Sequence, residues 1–452
     1  MRTLALLAAL VAASPAFAQS AAPESSILKE IAAGVSADRL RANIETLVSF
    51  GTRHTASDTK SSKRGVGAAR RWIAAEFASI SKDCGGRLRG ETPSQVMTHE
   101  RLPGPTEVVD VLGVLPGTSD PQRVIVISGH YDTRVRDVRD VTSDAPGAND
   151  DGSGTAAVIE AARVLCKHRF PATLVFAALA GEEQGLLGGR ILAEYAVKQG
   201  WFVEANLNND IVGNTEGLSG VRDNTHVRVF SEGTRSTETP EEANRRRYNG
   251  GELDSPSRNL ARYMDSLADR YLTNLDVVMV YRTDRYGRGG DQVEMLRHGF
   301  PAVRVTEAVE NYTRQHQDIR VENGIRYGDT VDGVDFPYLA QVTRLNAVTM
   351  AALALAPRPP TGVEISGAVS ADTTVKWTPA PDAAAYRIWW RGTTDPQWRY
   401  SRVVPPTGQH VLKAVNIDDW FFGVAAIGPD GHESPVVFPG PAGTFERGGV
   451  PK

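Results

Sequence analysis

Apolar positions along the chain change their spacing twice, and each change marks a change of architecture. Over 36–50, Leu40, Ile44 and Leu47 recur at helical spacing, with Ser36 as a candidate N-cap and Gly51 as a stop. A second helix is predicted over 66–80. Short apolar runs at 108–114, 124–128 and 174–179 then alternate with helical patterns at 156–166 and 186–197, and further runs follow at 277–281 and 302–306. Continuous apolar strands between helices predict an α/β fold with a mostly parallel mixed sheet and helices on both faces, because a strand buried on both sides has no place for polar positions. A polar stretch over 214–256 breaks the rhythm with Gly217, Gly220, Gly233, Gly250, Gly251 and Arg245-Arg246-Arg247; it is expected as a surface insertion, solvated or overhanging a site. Helical spacing returns over 336–355 and ends at Ala356-Pro357-Arg358-Pro359-Pro360, a stiff linker.

Beyond the linker the period becomes two. Val375 and Trp377, then Tyr386, Ile388 and Trp390, then Phe422, Val424 and Ala426 predict a small all-β sandwich over 362–452. The Trp in an early strand, the Tyr in the next and the Phe-Gly-Val-Ala-Ala strand before Gly428-Pro429-Asp430-Gly431 resemble a fibronectin type III domain. Its aromatics are read as core, with no chemistry and no identified partner. The division is thus 19–356, a linker at 357–361, and 362–452.

Composition narrows the function classes. With 50 Lys and Arg against 54 Asp and Glu, the chain lacks the basic excess of a nucleic-acid binder. Only Cys84 and Cys166 are present, so neither a disulfide scaffold nor a Cys-rich zinc module is available. Residues 1–18 carry Arg2, an apolar run from Leu4 to Ala13 and a small-x-small end at Ala16-Phe17-Ala18, which reads as a secretory signal peptide. Export to the periplasm or medium is therefore expected, with no membrane span after cleavage. In an oxidising compartment the two cysteines either pair or remain as buried thiols.

The chemistry begins where the run at 124–128 meets Gly129-His130-Tyr131-Asp132, which puts an imidazole and a carboxylate at the C-terminal edge of a strand. Gly147-Ala148-Asn149-Asp150-Asp151-Gly152-Ser153-Gly154 follows as an acidic turn opening a helix. The next strand ends in Gly181-Glu182-Glu183-Gln184-Gly185, and a later one in Asn208-Asn209-Asp210. Successive strand ends bring these carboxylates to one sheet edge, where they repel one another unless a cation neutralises them. A mixed His and carboxylate set suits zinc, with manganese or cobalt as alternatives.

Those stretches, in that order and with the late Gln315-His316-Gln317, resemble the co-catalytic di-zinc exopeptidases typified by aminopeptidase Y and the bacterial leucyl aminopeptidases. The resemblance spans about 40–355. It implies two zinc ions, with His130 and Asp210 on one, Glu183 and His316 on the other, and Asp150 bridging both. It further implies that Asp132 accepts the second ring N–H of His130, that Glu182 takes the proton from a water shared by the metals, and that the Asp150-Asp151 peptide is cis. The resemblance departs at Gln315, where family members carry a Tyr that serves the oxyanion; Tyr312 is the candidate replacement, with Gln315 itself as the other. His298 is the rival to His316 but precedes the run at 302–306. Asp291 is placed near the substrate or behind the ligands.

The implied function is an exported zinc aminopeptidase acting on peptides. Arg282, Arg285 and Arg288 keep a carboxypeptidase or another amidohydrolase open, since guanidinium groups suit a free carboxylate. A non-catalytic binding protein is the remote alternative, disfavoured because all five ligand positions are filled. No His-Glu-x-x-His and no Gly-x-Ser-x-Gly occurs, and Asn311-Tyr312-Thr313 is a chance glycosylation match.

Overall fold

The structure, a computed structural model, describes residues 24–447; the leader assigned to 1–18 lies outside the described residues. Eight strands form the central sheet: β1 (Arg89–Glu91), β2 (Val111–Leu115), β3 (Asp120–His130), β4 (Ala172–Leu179), β5 (Phe202–Asn209), β6 (His226–Phe230), β7 (Asp276–Val280) and β8 (Ala302–Glu307). Their order is β1-β2-β4-β3-β5-β8-β6-β7. The four central strands β4, β3, β5 and β8 run parallel, while β1, β2 and β6 join antiparallel to their inner neighbours. Parallel strands end on a common edge, so the segments that leave β3, β4, β5 and β8 all meet there.

The helices are α1 (Ser26–Gly34), α2 (Ala37–Ser49), α3 (Val66–Asp83), α4 (Gly152–Leu165), α5 (Leu187–Lys198), α6 (Pro240–Asn249), α7 (Pro256–Tyr271), α8 (Gln292–Arg297) and α9 (Phe336–Leu355). Strand alternation decides which of them cover which face. Val124, Val126, Val175 and Leu179 pack with Leu192 of α5 and Met295 of α8. Ile125, Ile127, Leu174 and Phe176 point the other way, into a core shared with α2, α3, α4, α7 and α9. The sheet is thus mixed, mostly parallel and helix-covered on both faces, as the pattern predicts. Cys84 at the end of α3 and Cys166 at the end of α4 form a disulfide, with Cα atoms 5.9 Å apart.

Three segments differ from the sequence reading. The single run at 108–114 is divided at Asp110, a fully buried residue whose Oδ1 accepts the Ala180 N–H; Thr106–Val109 pairs with Ser94–Met97 in a separate hairpin. The polar stretch over 214–256 is not only a surface insertion: it contains β6, where Val227 and Val229 are fully buried and flank Arg228, and then α6, which buries no residue. The linker is no free spacer. Arg358 makes a two-pronged ion pair with Asp120, both contacts at 2.6 Å, which fastens the linker to the start of β3.

The C-terminal unit is all-β. One sheet contains Thr361–Ser366, Thr373–Thr378 and Gln409–Leu412, the other Tyr400–Val404, Ala385–Gly392 and Trp420–Ile427. Val375, Trp377, Tyr386, Ile388, Trp390, Phe422 and Val424 fill the space between them. This unit is joined to α7 through buried polar contacts. Asp254 accepts from Arg262 at 2.9 Å and from Arg391 at 2.8 and 2.9 Å, all three side chains being about 1% exposed. Arg262 Nε also donates to Pro396 O at 2.7 Å, and Trp398 Nε1 donates to Asn259 Oδ1 at 3.0 Å.

Candidate metal centre

Backbone stops at the sheet edge place the chemistry. His130 is the last residue of β3, its N–H held by Asp151 Oδ2 at 2.9 Å. Asp151 is also the N-cap of α4, accepting from Gly154 N at 2.9 Å, and its Oδ1 takes the N–H of Ile211 just past β5. One carboxylate therefore ties two strand ends to the first turn of α4, a position where negative charge suits the helix dipole. The Asp150–Asp151 peptide is cis. After β4, Gly181 adopts φ +77°, a left-handed turn open to glycine at little cost, and delivers Glu182 and Glu183.

Two ligand groups result. His130, Glu182 and Asp210 form one, and Asp150, Glu183 and His316 the other; within each, the candidate ligand atoms lie within 4.8 Å of one another. Asp150 stands between them: Oδ1 is 3.3 Å from His130 Nε2 and Oδ2 is 3.1 Å from His316 Nε2. His316 Nε2 is also 3.0 Å from Glu183 Oε1, and His130 Nε2 lies 3.9 Å from Asp210 Oδ1 and 4.0 Å from Glu182 Oε2. Glu182, read from the sequence as the proton carrier, thus belongs spatially to the first group. His316 has φ +52°, left-handed for a non-glycine residue.

The charges do not balance by themselves. Burial would lower the affinity of His130 for a proton, yet Asp132, Asp150, Asp151 and Glu182 hold its pKa well above the imidazole range. Against the same effect of burial, Glu183 and Asp150 raise His316 to about 10. Burial, then Asp210, Glu183 and Asp291, push Glu182 well above the carboxylate range. His130 Nε2 is fully buried and has no hydrogen-bond partner, although three carboxylates face it. An unpartnered imidazole nitrogen among excess carboxylate oxygens is the donor set of a zinc site, and the residues present fit that ion.

The surrounding groups hold the ligands in place. The second ring nitrogen of His130 meets the Asp132 backbone carbonyl at 3.1 Å, with the Asp132 carboxylate farther away at 3.5 Å. That carboxylate also accepts the N–H groups of Glu182 and Glu183 at 3.2 and 3.3 Å, so Asp132 clamps the turn that bears both. Arg53 is wholly buried and donates to the carbonyls of Tyr131, Leu47, Pro146 and Gly147. Asp329 accepts the N–H groups of Asn149 and Asp150, its own pKa pushed up to about 7 chiefly by burial. Glu307 accepts from Asn149 Nδ2 and Asn214 N, both at 2.8 Å. Arg304 is 0% exposed and reaches Asp210 Oδ2 at 2.6 Å.

Arg304, Arg53, Asp329 and Glu307 escape the sequence reading. Only the first two leave a signal: an arginine inside the apolar run 302–306, and one flanked by Thr52 and His54 at a helix stop. Of the remaining sequence candidates, Asp291 is buried, accepts the Gly189 N–H at 3.0 Å and has its pKa raised to about 7 by burial. His298 caps α8 through Glu294 O and takes no part. Tyr312, the candidate for the oxyanion, is 54% exposed. Gln315 is buried, its Nε2 directed to Glu310 Oε2 at 3.4 Å.

Comparison with known proteins adds an independent line. The sequence profile of peptidase family M28 matches residues 110–323. A probable zinc metalloprotease of Leptosphaeria maculans is 44% identical over 424 residues, covering 93% of this chain and 98% of that protein. A probable zinc metalloprotease of Pyricularia oryzae is 40% identical over 413 residues, covering 89% and 82%. Among solved structures, Legionella pneumophila LapA aminopeptidase superposes with a TM-score of 0.52 at 19% identity, covering 74% of this chain and 76% of that one. LapB of the same organism gives 0.52 at 18%, with the same coverage. At that identity the two Legionella structures speak for the fold alone.

Proposed function

This chain belongs to peptidase family M28, the zinc metalloproteases, and from that premise we propose that it is an exported aminopeptidase that removes N-terminal residues from peptides using two zinc ions. The observation that supports this reading is Asp150, whose two oxygens face the imidazoles of the two ligand groups. Manganese or cobalt would suit the same oxygen and nitrogen donors. When bound, such ions supply Lewis-acid polarisation of a carbonyl and a water of lowered pKa. The protein's own groups do the rest. Glu182, next to Glu183 and 4.0 Å from His130 Nε2, is suited to take the water's proton and return it to the departing amine. Asp132 fixes that side chain's turn through the two backbone N–H groups. Arg304 occupies Oδ2 of Asp210 and leaves Oδ1 turned toward His130.

A carboxypeptidase is the second reading, favoured by Arg285, whose guanidinium lies 4.0 Å from Asp210, and by the nearby Arg288. Both guanidinium groups already share Glu310 Oε2, at 3.4 and 3.2 Å, which lessens their call on a substrate carboxylate. The leader at 1–18 supports export. The C-terminal unit is assigned as a fibronectin type III-like domain, with no partner identified.

The test is a mass-spectrometric time course of the zinc-loaded protein with one peptide in free, N-acetylated and C-amidated forms. Shortening from the N-terminus of the free and amidated forms, with the acetylated form intact, is the expected result. C-terminal trimming blocked only by amidation would move the assignment to the second reading. No cleavage of any form would favour a non-peptide amide substrate or a binding protein.

A further inference from the structure

Hydrolysis of an amide places negative charge on the carbonyl oxygen, and a buried site usually supplies a fixed donor for it. The side chains that border the two ligand groups differ in how much hydrogen-bonding capacity remains to them. Tyr312 is half exposed and Gln315 is directed to Glu310. Arg134 lines the cleft beside Asp150, Glu183 and His316 but donates to Val135 O and Arg136 O of its own loop. Arg304 stands behind Asp210, fully buried.

Arg285, between β7 and α8, is different. Its Nε donates to Asp284 Oδ1 at 3.3 Å and its Nη1 to Glu310 Oε2 at 3.4 Å, so two carboxylates fix the plane of the guanidinium. Among the described residues its Nη2 makes no hydrogen bond, and it lies 4.0 Å from Oδ2 of the ligand candidate Asp210. The side chain is 9% exposed, enclosed yet reachable. Gln315, next to ligand His316, donates to the same Glu310 oxygen as Arg285. The guanidinium therefore stands between a ligand of the first group and the neighbour of a ligand of the second.

Resting on the peptidase reading, we infer that Arg285 is a catalytic residue whose Nη2 donates to the scissile carbonyl oxygen as negative charge develops there. A bond forms between the water oxygen and the carbonyl carbon, and the carbonyl π pair moves onto the oxygen facing Arg285. As the C–N bond breaks, that pair re-forms the carbonyl and the amine leaves with the proton carried by Glu182. Arg285 keeps all its protons throughout. Because Asp284 and Glu310 hold it in advance, it needs no reorientation during the reaction.

The experiment compares wild type, R285Q and R285K in zinc content, in kcat and KM on a cleaved peptide, and in calorimetric affinity for a phosphinic dipeptide analogue and for the product amino acid. For R285Q, kcat should fall by about 10²–10³ with KM little changed, the size seen when one oxyanion donor is removed. Phosphinate affinity should fall in parallel, while amino-acid affinity and zinc content stay at the wild-type level. R285K should recover part of both losses. A kcat within a few-fold of wild type, or a loss of zinc that accounts for the loss of activity, would overturn the assignment. A wild type inert toward every peptide form would instead sink the peptidase reading beneath it.

Discussion

The buried charges at the C-terminal unit's junction with α7 and those at the metal centre are balanced in different ways. At the domain junction Asp254 is met by Arg262 and Arg391, and the cationic excess is absorbed by carbonyls such as Pro396 O and Asp395 O and by the rings of Trp398 and Phe421. At the metal centre carboxylates outnumber imidazoles, and His130 Nε2 remains without a hydrogen bond. The first cluster pairs its charges within the chain, with Arg391 Nε alone of its named atoms lacking a hydrogen bond. The second is completed only by an external cation, which separates a structural charge cluster from a chemical one more surely than burial does.

The comparison can be broken most sharply at Asp150. Asp150→Ala removes the one carboxylate that faces both imidazoles, so both zinc ions and all measurable turnover should be lost together. Retention of two ions by elemental analysis would refute the shared role. Next in size is Glu182→Gln, which should cut kcat by about 10²–10⁴, the range for a general acid or base, while zinc stays bound. Loss of metal instead would make Glu182 a ligand of the first group.

Asp254→Ala probes the other cluster. It leaves two buried guanidinium groups without their carboxylate, and a cost of about 3–5 kcal/mol is expected in denaturant unfolding. Zinc content and kcat per folded molecule should not change; a matching loss of turnover would mean that the two clusters are not independent. The smallest effect concerns Glu232, beside Arg235, which donates to Pro441 O and Glu446 O of the C-terminal unit. Burial raises Glu232 to about 7 from 4.5, so between those values the folded state holds more protons than the unfolded one. Stability should accordingly fall as pH rises through that window and recover on acidification, and Glu232→Gln should flatten this slope by up to about 1.4 kcal/mol per pH unit. An unaltered slope would show that Glu232 does not titrate there.

The sheet and the clustering of carboxylates at its edge were legible because each follows from runs that end at one side of a parallel sheet. Apolar runs end in His130, Glu182-Glu183 and Asp210, and a parallel sheet delivers such ends to one edge whatever lies between. Residues that work across the fold were not. Asp329 holds the Asn149 and Asp150 N–H groups from about 180 positions away, and nothing near Gly328-Asp329-Thr330 announces it. Asp132 was placed on the imidazole, and its carboxylate, 3.5 Å from Nδ1, also serves the Glu182–Glu183 backbone, a geometry set by how β3 and β4 align. β6 was hidden because its polar residues lie in ion pairs, as between Arg228 and Glu310, and its polar flanks masked the short apolar alternation.

The Cys84–Cys166 bond closes a covalent ring with a sequence separation of 82, and that ring contains His130, Asp132, Asp150 and Asp151 but neither Glu183 nor His316. A ring of that size removes conformations chiefly from the unfolded chain, by about 4–5 kcal/mol in the chain-entropy picture. Reduction should therefore leave the folded enzyme's turnover number where it was and shorten the time it survives heating, so that a reductant acts on lifetime rather than on rate.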